Sequence, residues 1–186
     1  GELRMIRDDL LAPEPVSGMP EVRAEGYTGL LDILLHPDFE QNRLIYFTYN
    51  KPTGADSSAM TVMRARWNGN GLSEAQDLFS ADGLGGASRI LLDGKGHLFM
   101  SIYGGSEDAQ DLGELRGKIL RLTEDGKVPT DNPFINTPGA RPEIYTYGHR
   151  TPQGLALHPV SGEVWELEMG PNGGDEVNIL AAGDNY

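Results

Sequence analysis

The stretch GPNGGDE at 170–176 sets the backbone carbonyls of a glycine- and proline-rich turn directly before two adjacent carboxylates, Asp175 and Glu176. Calcium and similar hard cations take oxygen ligands of both kinds, so Gly170, Pro171, Asp175 and Glu176 form a candidate donor set. The spacing is not that of an EF-hand, and the plainer reading is a glycine turn with solvated acids. Upstream, GHRTPQG at 148–154 carries His149 and Arg150. A guanidinium there can grip a carboxylate or phosphate with two parallel bonds, or simply tie a loop to backbone carbonyls. His149 could act as a general base or be a packed loop residue. Glu168 is the other nearby group that could take a proton.

The remaining histidines read as turn residues. His36 and His158 both precede a proline at the end of an apolar run, and repetition in one slot favours a structural role. His97 follows a GKG turn and is expected to be exposed. Asp38, Asp93 and Ser161 fall in the same turns. Trp67 and Trp165 read as packing residues. No GxSxG, Walker A or HExxH motif occurs, and the absence of cysteine excludes disulfides, thiolate metal sites and a cysteine nucleophile.

These residues need elements to position them. Three stretches align: GLLDILLHPDFEQNRLIYFTYN (29–50), ASRILLDGKGHLFMSIYGG (87–105) and QGLALHPVSGEVWELEMG (153–170). Each is an apolar run, a turn and a second apolar run. Leu30, Ile90 and Leu155 mark steps of 60 and 65 residues, too long for a solenoid repeat but suited to a propeller blade with long loops. Third and fourth strand candidates follow: MTVMRARWN and AQDLFS, then GKILRLTEDG and PEIYTYG, then DEVNIL. The continuous apolar runs ILLDG and GLALHP are expected as inner strands buried on both faces. The alternating VMRARW is expected as an outer, half-exposed strand. Ser106–Leu115 reads as a loop with one helical turn.

The fold class is therefore all-β, a β-propeller of four-stranded blades, with this chain covering three to three and a half of them. The divisions fall near 1–25 (the end of one blade), 26–83, 84–148 and 149–186 (the start of the next), in one partial domain. Such a count leaves a ring open, so the expectation is a piece of a longer chain, with open blade edges offering surfaces for self-association. A net charge of −13 argues against a nucleic-acid partner, and no apolar run reaches the length of a membrane span. Gly1 begins without a charged-then-apolar leader.

Together, GLLDILLHPDFEQNRLIYFTY, GKILRLTEDGKVPTDNPF, PEIYTYGHRTPQGLALHP and GPNGGDEVNILAAGDNY resemble the soluble PQQ-dependent glucose/sorbosone (aldose sugar) dehydrogenases, in order and over nearly the whole length. The resemblance implies a six-bladed propeller in the periplasm or outside the cell. It implies oxidation of the C1 hydroxyl of an aldose to a lactone, with PQQ as acceptor, Ca²⁺ polarising it, and an external electron acceptor downstream. Arg150, with Thr151 beside it, would hold the cofactor. Gly170 and Pro171 would hold the active-site calcium through their carbonyls, with Asp175 and Glu176 contributing to calcium binding nearby.

The resemblance also marks departures. The family's base histidine, four residues before the arginine matched by Arg89, falls on Gly85, and the acid before it on Leu84. Other pocket positions become Tyr27, Gly104, Thr151 and Met169. No catalytic residue is assigned. The alternative reading is a non-catalytic, calcium-stabilised propeller that binds a sugar or a protein; a lactonase-type propeller hydrolase is a third.

Overall fold

Short β-branched and aromatic runs punctuated by glycine turns favour antiparallel meanders, in which each strand pairs with the next. The structure, a computed structural model, describes residues 1–26, 28–84, 86, 88–105 and 107–186. It divides into two compact units, Gly1–Gly85 and Gly86–Tyr186.

The first unit opens with a small hairpin, β1 (Ile6–Arg7) and β2 (Leu10–Leu11). Asp8 and Asp9 turn it at φ of 51° and 63°, the backbone of a tight two-residue hairpin turn. A four-stranded antiparallel meander follows: β3 (Leu30–Leu35), β4 (Leu44–Pro52), β5 (Ser58–Trp67) and β6 (Leu72–Asp82). Between β3 and β4 the chain makes a one-turn helix, α1 (Phe39–Asn42), not anticipated from the sequence and ended by a left-handed Arg43. Alternate residues of β4, Ile45, Phe47 and Tyr49, enter a core with Val16, Met63, Ala65 and Leu72. Asn50 fastens the entry to β3, accepting the Gly29 N–H at 3.0 Å and donating to the Leu84 carbonyl at 3.2 Å.

The second unit holds another four-stranded meander, β7 (Ile90–Leu92), β8 (His97–Ile102), β9 (Lys118–Thr123) and β10 (Ile144–Tyr147). A three-stranded one follows, β11 (Pro152–Leu157), β12 (Val164–Glu168) and β13 (Glu176–Ile179). Phe99 and Ile119 of one sheet meet Val164 and Leu180 of the other in a shared core. The loop before β9 carries, among the described residues, one 3-10 turn, Asp108–Gln110. It is stitched down by Lys118, whose buried ammonium donates to the carbonyls of Asp108, Ala109 and Arg116 at 2.9, 3.0 and 2.7 Å.

The repeated turns share one device. His36 Nδ1 accepts the Asp38 N–H at 2.9 Å, Asp93 Oδ1 accepts the Lys95 N–H at 2.7 Å, and His158 Nδ1 accepts the Ser161 N–H at 3.1 Å. Each side chain closes the turn between the first two strands of its sheet. His36 and His158 also stack on Tyr46 and Trp165 of the following strand.

Three expectations need correcting. ILLDG is largely covered, as β7, but GLALHP is not buried on both faces: in β11 Leu155 and Leu157 are half-buried and Ala156 is exposed. VMRARW is not on an outer edge. It lies in β5, which pairs with β4 on one side and β6 on the other, and Ser58–Met63 are buried. The third strand of a meander has neighbours on both sides, so its polar residues do not mark an edge. His97 is half-buried rather than exposed, held at 2.8 Å by Asp93 across the turn.

Candidate functional site

Strand β12 reads Val-Trp-Glu-Leu-Glu, and residues two apart on a strand share a face. Val164, Glu166 and Glu168 take the buried face, while Leu167 is exposed. This inverts the usual preference for leucine inside and glutamate outside, and it loads the interior with two carboxylates. The turn leading into β11 adds His149, which is fully buried. Its ring stacks on Tyr186 at 5.1 Å, and its Nε2 lies 2.8 Å from the Thr146 hydroxyl. His149 Nδ1 faces Glu168 Oε1 at 3.8 Å and Glu166 Oε2 at 3.9 Å.

The two carboxyls differ. Burial, and then the Glu168 charge, push the Glu166 carboxyl up to about 8. Burial would raise Glu168 as well, but His149 and the Arg150 N–H, which donates to Glu168 Oε2 at 2.7 Å, hold it below the usual carboxylate value.

Above this interior lies an exposed loop. After β12 the chain makes a 3-10 turn, Pro171–Gly173, closed by the Gly174 N–H donating to the Pro171 carbonyl at 3.0 Å. Asp175 Oδ1 accepts the Gly170 N–H at 3.1 Å, so this acid ties the loop shut. A Cβ on Gly170 would lie 1.7 Å from the Gly174 oxygen, so only glycine lets the loop close. Glu176 begins β13 opposite Glu168 and is exposed. The exposed Arg150 guanidinium donates to the Met169 carbonyl at 3.4 Å, immediately before Gly170. Thr151 is buried, and its carbonyl accepts the Met169 N–H at 3.1 Å.

Arg150, Thr151, Gly170, Pro171, Asp175 and Glu176 thus gather at one end of the β11–β13 sheet. His149 and Glu168, the nearest stand-ins for a base, lie beneath the surface and do not face solvent. Gly85 and Tyr27 lie outside the described residues. Leu84 is buried, and its carbonyl accepts from Asn50. Gly104 has no room for any side chain: a Cβ would come within 2.5 Å of Gly117 and 2.6 Å of the His149 carbonyl, whereas Gly105 faces open space. Glu166 escaped the sequence reading. Its only signal was the Glu-Leu-Glu spacing, which says that the two acids share a face but not which face.

The four-stranded meanders are blades of a β-propeller, and comparison with known proteins agrees. The glucose/sorbosone dehydrogenase family matches residues 1–186. Aldose sugar dehydrogenase YliI of Escherichia coli (strain K12) is 42% identical over 198 residues, covering 100% of this chain and 53% of that protein. The crystal structure of the soluble E. coli aldose sugar dehydrogenase in its apo-form superposes with a TM-score of 0.91 at 39% identity, over 100% of this chain and 56% of that one. The PQQ-bound aldose sugar dehydrogenase of Streptomyces coelicolor gives a TM-score of 0.71 at 31% identity, over 92% of this chain and 51% of that one. The chain belongs to the glucose/sorbosone dehydrogenase family. It spans about half the length of the relatives it matches.

Proposed function

We propose that this chain is part of a PQQ-dependent aldose sugar dehydrogenase, which oxidises the C1 hydroxyl of an aldose to a lactone and passes electrons to an external acceptor. The observation that carries the reading is the convergence of Arg150 with the Gly170–Glu176 loop at one end of a blade, in a chain matched by the family from end to end. The donor set fits the calcium ion that the resemblance implies. It is all oxygen, and the Pro171 carbonyl keeps a second lone pair after accepting the Gly174 N–H.

In this reading Gly170 and Pro171 present carbonyls to calcium, Asp175 fixes the loop by holding the Gly170 amide, and Glu176 adds a carboxylate nearby. Arg150, propped on the Met169 carbonyl, offers its remaining N–H groups to a cofactor carboxylate. When bound, PQQ supplies the redox chemistry and the calcium ion polarises its oxygens. A periplasmic or secreted location fits this role, and among the described residues no helix is long and apolar enough to cross a membrane.

One observation favours a second reading, a calcium-stabilised propeller that binds sugar or protein without turnover. The position matched to the base histidine is Gly85, and both substitute bases are buried. Missing general-base catalysis costs about 10²–10⁴ in rate.

The test is reconstitution of the full-length protein with PQQ and Ca²⁺, followed by dye reduction with several aldoses. Slow but sugar-dependent bleaching supports the dehydrogenase. A flat trace with no shift in quinone absorbance supports the binding module. Calcium calorimetry tests the loop separately: Asp175→Ala should abolish the heat of binding, and unchanged binding would remove the loop from the scheme.

A further inference from the structure

We propose that His149, Glu166 and Glu168 form a second, buried metal site, for a first-row divalent cation such as Zn²⁺, distinct from the oxygen-only loop above it. The three residues bring one imidazole nitrogen and two carboxylate oxygens within 4.8 Å of one another, all buried. The proposal does not depend on the PQQ reading.

Two atoms in this cluster have no hydrogen-bond partner among the described residues. His149 Nδ1 and Glu166 Oε1 are both buried without one, on residues 0% and 1% exposed. Leaving such groups bare is costly, and native interiors rarely do it. Nδ1 is 3.8 and 3.9 Å from the two carboxylates, too far for a direct hydrogen bond. Nδ1 and Glu168 Oε1 are near the spacing of two ligands of one ion: bonds of about 2.1 Å at a tetrahedral angle end about 3.4 Å apart, so a contraction of a few tenths of an ångström closes that pair, and a turn of the Glu166 carboxyl, whose ligand atom lies within 4.8 Å of the other two, completes the site.

The surroundings orient each ligand as metal sites require. Thr146 occupies His149 Nε2, which leaves Nδ1 to face inward, and Tyr186 holds the ring plane. The Arg150 N–H takes Glu168 Oε2, which leaves Oε1 toward the gap. Asn178 approaches Glu166 Oε2 at 3.3 Å, and Glu166 Oε1 is free to coordinate.

Charge points the same way. Among the described residues Glu166 and Glu168 pair with no lysine or arginine, so two acids and an imidazole share a buried space in which His149 is the one basic neighbour. Without a cation, burial and the neighbouring carboxylate keep the Glu166 proton on up to about pH 8. The imidazole ligand selects against calcium, which takes oxygen, and suits zinc and its neighbours.

The experiment uses the full-length protein, stripped with chelator and titrated with CoCl₂, then with ZnCl₂ and CaCl₂ as competitors. One equivalent of Co²⁺ should produce visible d–d bands that Zn²⁺ abolishes and equimolar Ca²⁺ leaves in place. Glu166→Gln, which keeps the shape, should weaken Co²⁺ at least tenfold with an unchanged far-UV spectrum, while Asp175→Asn should leave Co²⁺ affinity unaltered. Crystals soaked in ZnCl₂ should show an anomalous peak between His149 and Glu168 whether or not any variant folds. The absence of bands and peak in the wild-type protein, displacement by Ca²⁺, or undiminished binding in folded Glu166→Gln would each overturn the proposal.

Discussion

Two pairs of acids in the same sheet behave in opposite ways. Asp175 and Glu176 stand in solvent where the loop enters β13, whereas Glu166 and Glu168, a few residues earlier, sit inside the protein with His149. The chemistry of the side chains is the same, and the setting differs. On the loop Asp175 holds the Gly170 amide, glycine and backbone bonds supply the rest of the shape, and water screens the charge. In the strand, each carboxylate oxygen needs a partner or a cation, and its protonation follows from burial.

The largest expected effect is at the loop. Gly170→Ala places a methyl against the Gly174 oxygen and forces the turn open. Thermal or urea unfolding should show a loss on the order of 3 kcal/mol, together with loss of calcium binding. An unperturbed variant would mean that the loop rearranges freely and that its geometry has no role.

The next tests burial itself. Glu168→Leu leaves the Arg150 amide without its acceptor and should cost about 2 kcal/mol in denaturant unfolding. Glu176→Leu, opposite it in the β12–β13 register but exposed, should change stability by less than about 0.5 kcal/mol. Equal costs would show that the contrast between the two settings is not energetic.

Asp93 is an intermediate case, a turn carboxylate that is mostly covered. Burial raises its affinity for a proton, but the Lys95 and His97 amides and the His97 ring outweigh that and hold it below the usual carboxylate value. A depressed folded value means that its stabilisation is complete above about pH 4, the unfolded value, and drains away as pH falls through the folded one. Asp93→Asn should therefore cost about 1 kcal/mol at pH 7 and progressively less toward pH 2. A constant difference across that range would assign the effect to packing instead of charge. The smallest effect is expected for Asp175→Asn, an exposed substitution that keeps an acceptor for the Gly170 amide and should shift stability by less than about 0.5 kcal/mol.

Much of the architecture was legible in the residues because it is local. The turn formers between Leu35 and Leu44, Leu92 and His97, and Leu157 and Val164 mark three hairpins, and the same side-chain-to-amide bond closes each. What was misread concerned neighbours. VMRARW alternates like an edge strand, yet β6 covers it, because the polarity of a strand does not report how many strands flank it. The exposed, oxygen-rich loop was likewise visible as GPNGGDE, since its residues are contiguous.

The order of strands, the hairpin turns and the family were set by sequence alone, because each depends on residues close along the chain or on motifs in fixed succession. Only the tertiary structure decided that Glu166 and Glu168 face inward to meet His149, that Gly104 can hold no side chain, and that Arg150 reaches the Met169 carbonyl. Strand periodicity fixes which residues share a face, while the packing of one sheet on the next decides which face is buried.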